Sequence, residues 1–92
     1  MKEYILDSKY MTSKQELHEH LQTLMKFPSY YGKNLDALYD VLTDIAEDTL
    51  VVLPKDTKTK LGDYGVTLIQ VFKDASEENP KLKIRLEKYN MC

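Results

Sequence analysis

The run Thr49–Leu53 (TLVVL), closed by Pro54, is the feature that most restricts how this chain can fold. Four of its residues are apolar in succession, so a strand formed here has no polar face to turn toward water. Proline ends the run because it cannot donate a hydrogen bond within a sheet. The run therefore predicts a strand that is buried on both faces, as strands of parallel sheets commonly are.

Two further strands are predicted, one near each end of the chain. Tyr4–Leu6 is a short β-favouring run, and Leu82–Leu86 alternates apolar with charged residues, as a half-exposed strand does. Each connection between the strands is long enough to hold a helix, which favours parallel pairing. We therefore predict an α/β fold of two layers, in which a three-stranded parallel sheet packs against helices.

Three long helices are predicted between the strands. Ser13 and Glu16 have the spacing of a capping box and open the first helix, which Pro28 ends. Asn34 is a favourable N-cap for the second helix, and the third helix stops at Asn79. Apolar residues at helical spacing mark the inward faces: Leu17, Leu21, Leu24 and Met25, then Leu35, Leu38, Val41, Leu42 and Ile45, then Leu68, Ile69, Val71, Phe72 and Ala75.

Length and charge are those of an ordinary globular chain. The 92 residues predict a single domain spanning 1–92, with a loosely held tail at 88–92. A net charge of −2 provides no basic surface for nucleic acid, and no apolar run is long enough to cross a membrane. The single cysteine, Cys92, cannot form an internal disulfide. We expect a cytoplasmic protein that is monomeric when free.

The sequence contains no pattern that indicates an enzyme. It has no nucleophile–base pair, no phosphate-binding loop and no metal-ligand spacing. His18 and His20 are two residues apart on a predicted helix and do not face each other, so we predict that both lie on its flank. We expect no catalytic residues, no cofactor and no bound metal.

Asp36, Asp40 and Asp44 lie four residues apart on the predicted second helix, opposite its apolar residues. No lysine or arginine occurs from residue 34 to residue 54, so nothing within the helix offsets a repulsion of about 0.2–0.5 kcal/mol for each pair. Asp36 suits the first helical turn, but Asp40 is mid-helix and Asp44 is near the negative end of the helix dipole. We predict that these three residues, the acidic ridge, form a functional surface.

Three uses of such a ridge can be compared. A divalent cation needs about six converging oxygens, whereas a straight ridge diverges. Paired catalytic carboxylates need a cleft that shifts the pKa of one of them. Presenting carboxylates to a cationic cleft in place of phosphates needs neither a pocket nor a cofactor. The third use is the one that suits a small rigid protein.

Other residues near the ridge are candidates for the same surface. Asp74 and Glu78 are four apart on the last helix, although Lys73 beside them also allows an ordinary solvated face. Tyr30 and Tyr31 precede the ridge, and we predict that one packs in the core while the other is an exposed contact.

The segment PSYYGKNLDALYDVLTD, residues 28–44, resembles the barstar family of intracellular ribonuclease inhibitors. The resemblance extends over most of the chain, including LHEHL on the first helix and IQVFKDA on the last. It implies that a loop and the following helix plug the active site of a barnase-type ribonuclease, with aspartates in phosphate positions. The partner so implied is a secreted or toxin-type guanyl-specific ribonuclease.

The resemblance also implies roles for individual residues. Asp40 matches the principal contact, Asp36 matches an arginine-binding aspartate, and Tyr30 matches a tyrosine that packs on the enzyme's catalytic histidine. Further contacts are implied at Asn34, Thr43, Asp74 and Glu78. Tyr39 and Asp44 also belong to the predicted partner-binding set, but they depart from the family pattern, which has tryptophan and glycine there. Ile45 likewise replaces a tryptophan.

One alternative remains open at this point. The same scaffold could serve as a non-inhibitory protein-interaction module that binds a basic partner other than a nuclease. Inhibition of a ribonuclease would distinguish the two.

Overall fold

The computed structural model describes residues 1–87, so the tail 88–92, predicted to be loosely held, lies outside the described part. A 3₁₀ turn, Ser8–Tyr10, follows the first strand. The helices and strands, in chain order, are β1 (Lys2–Ile5), α1 (Lys14–Met25), α2 (Leu35–Thr43), β2 (Thr49–Leu53), α3 (Thr57–Leu61), α4 (Asp63–Glu78) and β3 (Leu82–Leu86). All the predicted strands and long helices are present, although β1 starts and ends before the predicted Tyr4–Leu6, and α3 is a short helix in the polar segment between β2 and α4.

The strands form one parallel sheet in the order β1–β2–β3, which confirms the predicted three-stranded parallel sheet. Val51 pairs with Tyr4 on one side and Ile84 on the other, so β2 is the central strand. Val51 and Val52 are both buried, although successive side chains of a strand point to opposite faces. Four of the five residues of β2 are therefore buried and Leu50 is half-buried, although the helices pack on only one face of the sheet.

The helices cover one face of the sheet. A single hydrophobic cluster joins Val51 and Leu53 of β2 to Leu21 of α1, Leu42 of α2 and Phe72 of α4, all of them buried. Val52 lies outside this cluster, on the opposite face. The molecule therefore has the two layers that the sequence predicts. Within residues 1–87, no helix has the length and apolar character of a membrane span.

Side-chain caps set the starts of the first two helices, as predicted. The Ser13 hydroxyl accepts a hydrogen bond from the backbone N–H of Glu16 (3.1 Å), but the Glu16 carboxylate accepts from the Thr12 hydroxyl (2.7 Å) and does not complete the predicted capping box with the N–H of Ser13. Asn34 Oδ1 accepts from the N–H of Ala37 (2.8 Å) and so fixes where α2 begins. The start of α2 in turn places Asp36 in its first turn.

Candidate partner-binding surface

The acidic ridge is exposed to solvent along the whole of α2. Asp36 lies in its first turn, Asp40 is in its middle, and Asp44 is its C-cap residue. In the described part of the chain the ion pairs are Lys2–Glu47, Lys9–Asp7, Lys33–Glu19 and Lys81–Asp48. None of these pairs includes a ridge carboxylate. The three exposed aspartates therefore have no cationic partner in the described part of the chain.

Tyr39 connects the ridge with the acidic pair on α4. Its side chain is half-buried, and this partial burial raises the pKa of its phenol; nearby Glu78, Asp74 and Asp40 raise it further. Negative charges on two packed helices, α2 and α4, thus act on one hydroxyl. Asp74 accepts a hydrogen bond from Gln70 Nε2 (2.9 Å). Asp74 and Glu78 are both exposed, and their place in the partner-binding surface stays a prediction.

Asn34 and Thr43, also predicted to contact a partner, have hydrogen bonds within the protein. Besides capping α2, Asn34 donates from Nδ2 to the carbonyl of Gly32 (3.2 Å). The Thr43 hydroxyl donates to the carbonyls of Tyr39 and Asp40, both at 3.0 Å. Both side chains border the ridge, and their contact with a partner stays a prediction.

Tyr30 and Tyr31 differ in burial as the sequence predicts, one exposed and the other in the core. Tyr30 is 85% exposed, whereas Tyr31 is 6% exposed and packs in the hydrophobic cluster. Tyr30 also borders a groove of ≈ 420 Å³ whose lining includes Asp40 and Asp44. The loop and the ridge therefore meet at one site, and the sequence contained no sign of this groove.

His18 is fully buried, so the prediction that it lies on the flank of its helix is wrong. Its Nδ1 is 2.6 Å from the Tyr31 hydroxyl, and its Nε2 is 2.7 Å from the Tyr64 hydroxyl. A neutral imidazole has one donor and one acceptor, so one tyrosine donates to the ring and the other accepts from it. The histidine thereby joins α1, the loop before α2, and α4. His20 remains partly exposed, stacked on Tyr10 at 4.3 Å.

We expect acid to destabilise the protein through His18. Burial lowers the pKa of His18 in the folded protein. Below pH about 6.5, the ordinary pKa of histidine, the unfolded state therefore binds a proton that the folded state does not bind. The free energy of unfolding should therefore fall as pH drops from about 7, and level off only below the folded-state pKa. Urea unfolding at a series of pH values measures this slope.

Variants of His18 and His20 separate the contributions of the two histidines to the pH dependence of the free energy of unfolding. Burial also lowers the pKa of His20, while Asp7 raises it and Lys9 lowers it. The His20→Gln variant should keep the larger part of the pH dependence, and His18→Gln should lose it. A His18→Gln protein with the wild-type slope would contradict this account.

Asn79 has a role that the sequence did not reveal, since the pattern indicates only that the helix stops there. Its side chain is buried, and Nδ2 donates to the carbonyls of Leu42 and Ile45, both at 3.0 Å. Its Oδ1 accepts from the N–H of Lys81 (3.0 Å). A residue following α4 thus caps the C-terminal end of α2. This cap fixes the end of the helix that carries Asp44.

Comparison with known proteins shows the family of this chain. The family model described as "Barstar (barnase inhibitor)" matches residues 1–88. A Bacillus subtilis (strain 168) protein named "Putative ribonuclease inhibitor YrdF" is 35% identical over 91 residues, covering 95% of this chain and 100% of that protein. Within residues 1–87, no group of three or more His, Cys, Asp or Glu residues is placed to hold a metal ion. The chain belongs to the barstar family.

Proposed function

We propose that this protein inhibits a barnase-type ribonuclease by covering its active site. The observation that supports this proposal is the acidic ridge: three exposed carboxylates without a cationic partner in the described part of the chain, on a helix capped at both ends. Family membership and the name of the Bacillus subtilis relative support the same conclusion.

The ridge suits a cleft that binds phosphates. Such clefts are lined by arginine, lysine and protonated histidine, and a carboxylate accepts strong, charge-assisted hydrogen bonds from all three. Because the ridge carboxylates form no ion pair within the described chain, none has to be broken when they bind a cation of the partner. Asp40, in the middle of the ridge, is the principal phosphate mimic, and Asp36 binds a neighbouring arginine.

The surrounding residues extend the contact. Tyr30 is almost fully exposed and offers a rigid aromatic face with little conformational entropy to lose. Asp74 and Glu78 widen the negative surface beyond Tyr39. The caps at both ends of α2 fix the backbone that carries the carboxylates, so the helix itself need not be ordered when the partner binds.

A titration tests the proposal. Purified protein is added to a panel of guanyl-specific microbial ribonucleases, including barnase, while RNA cleavage is followed. We expect complete loss of cleavage by at least one enzyme near one equivalent of inhibitor. If the protein inhibits none of them, the proposal is wrong, and the non-inhibitory interaction module becomes the better account.

Association with the inhibited enzyme should slow as salt is added. Charges separated by more than about 10 Å are largely screened at 0.1 M ionic strength, so steering by the acidic surface weakens. Stopped-flow association rates across a salt series measure the effect. Asp36→Asn and Asp74→Asn should flatten the salt dependence, whereas Glu3→Gln, on an exposed residue of β1 away from the ridge, should not. Salt dependences equal to that of the wild type for all three variants would show that neither Asp36 of the ridge nor Asp74 of α4 steers association.

A further inference from the structure

The helices leave one face of the sheet uncovered. Ile5, Leu50 and Val52 are absent from the hydrophobic cluster that joins the sheet to the helices. They alternate along their strands with residues of that cluster, so they point to the other face, here called the outer face. Val52 is buried among its neighbours, but Leu50 is half-buried and Ile5 is 57% exposed. The outer face therefore presents apolar side chains to water.

The strand register arranges the outer face in two rows. Each row has one residue from every strand: Glu3–Leu50–Lys83 and Ile5–Val52–Arg85. Apolar residues occupy the centre, the acid lies on the β1 edge, and both cations lie on the β3 edge. None of the three charged residues is in an ion pair of the described chain, and Lys83 Nζ donates to the carbonyl of Pro80 (3.2 Å). Opposite charges are thus separated across an apolar strip.

This arrangement of charge is complementary to itself. When two copies stack face to face about a twofold axis parallel to β2, β1 of each copy lies over β3 of the other, and each row lies over the same row. Glu3 then faces Lys83 of the second copy, across the distance of about 10 Å that separates stacked sheets. Ile5 faces the aliphatic stem of Arg85. The central apolar residues of the two copies face each other.

The other twofold arrangement of the two faces is unfavourable. An axis perpendicular to the strands lays β3 over β3 in opposite directions, so Lys83 of each copy meets Arg85 of the other. Like charges that meet across an interface oppose association. The charges on the face therefore select the axis parallel to β2, and a second copy of this chain is the occupant that they fit.

We propose that the protein forms a weak homodimer through the outer face of its sheet. With strands about 4.8 Å apart and about 3.3 Å per residue, the three short strands cover about 250 Å² per protomer. A stable interface buries about 800 Å² per partner, so we expect a Kd of about 0.1–1 mM and a monomer in dilute solution. The acidic ridge lies on the helical side of the molecule and stays open in the dimer. The inference does not rest on the proposed function.

Sedimentation velocity tests the dimer at protein concentrations from about 10 µM to about 1 mM, with a reducing agent present so that Cys92 forms no disulfide. We expect the sedimentation coefficient to rise over this range. Glu3→Lys and Lys83→Glu should each raise Kd by about fivefold or more, because each change brings like charges together at two symmetric positions. The double variant exchanges the two charges and should restore the wild-type Kd. Glu77→Lys, at an exposed position of α4, changes net charge as Glu3→Lys does and should leave Kd unchanged.

Three results would overturn the proposal. The first is a wild-type sedimentation coefficient that stays constant up to the highest concentration. The second is a double variant that associates no better than the single variants, because the proposed stacking requires Glu3 to face Lys83. The third is self-association that Asp40→Ala abolishes and Glu3→Lys does not, since the ridge would then form the contact.

Two further measurements keep the result clear. Circular dichroism identifies variants that misfold, and if the charge variants do, Ile5→Thr decides the question. Threonine also favours strands, so this variant should weaken the dimer by removing exposed apolar surface, and an unchanged Kd would contradict the proposal. Ribonuclease inhibition by Glu3→Lys should equal that of the wild type, because the outer face and the ridge are separate surfaces. If no ribonuclease is inhibited, the proposed function fails and the sedimentation test of the dimer is unaffected.

Discussion

Replacing Asp40 with alanine is expected to weaken ribonuclease binding by at least about 2 kcal/mol, roughly 30-fold. Asp40 lies between the other two carboxylates of the ridge, so its loss leaves the partner's cations unpaired in a desolvated contact. The free energy of unfolding should instead increase. Alanine is a better helix former, and the change removes two repulsive pairs, so unfolding should cost a few tenths of a kcal/mol more.

Two measurements on the same variant separate function from folding. Kd for the inhibited ribonuclease and the free energy of unfolding in urea are compared for wild type, Asp40→Ala and Glu77→Ala. Glu77 is an exposed acid of α4 outside the predicted surface, so its replacement tests loss of one negative charge alone. Normal binding by an Asp40→Ala protein that unfolds more easily would mean that Asp40 serves the fold.

The parts of the fold that the sequence predicts depend on neighbours in the chain. The TLVVL run predicts the central strand because four adjacent apolar residues are enough to show burial. Ser13 and Asn34 predict helix starts because each caps a backbone N–H only three residues away. The ridge belongs to the same class, since helical spacing alone aligns its carboxylates.

The parts that the sequence does not predict depend on distant residues. His18 bonds Tyr31 and Tyr64, which are 13 and 46 residues away, so helical spacing could not reveal its partners. A signal of burial was present, because His18 is three residues before Leu21 and so shares the inward face. The groove likewise arises where separate segments meet, and no single segment indicates it.

Asn79 shows how distant residues complete the predicted surface. The sequence accounts for the start of α2 through Asn34, but the end of α2 depends on an amide supplied 37 residues after Leu42. Two asparagines thus cap opposite ends of one helix, one as an acceptor and the other as a donor. The same substitution at Asn34 and at Asn79 therefore tests how far each cap of α2 stabilises the protein.

Changing Asn79 to aspartate is expected to lower the free energy of unfolding by at least about 2 kcal/mol at neutral pH. The amide donor to the carbonyls of Leu42 and Ile45 becomes a carboxylate that faces the same oxygens. That negative charge is also buried at the negative end of the α2 dipole. Urea unfolding at pH 7 measures the loss, which should shrink toward pH 4, because protonation removes the charge and restores a donor.

The same chemical change at Asn34 is the control and should have little effect. A carboxylate there still accepts from the N–H of Ala37 and lies at the positive end of the dipole; it loses only the exposed 3.2 Å hydrogen bond that Asn34 Nδ2 donates to the carbonyl of Gly32. We expect Asn34→Asp to change stability by no more than about 0.5 kcal/mol, because aspartate and asparagine are nearly equivalent N-caps. Equal losses from the two variants would mean that removal of an amide, and not the polarity of the helix end, sets the cost. A stable Asn79→Asp protein would mean that the C-terminal end of α2 does not depend on this cap.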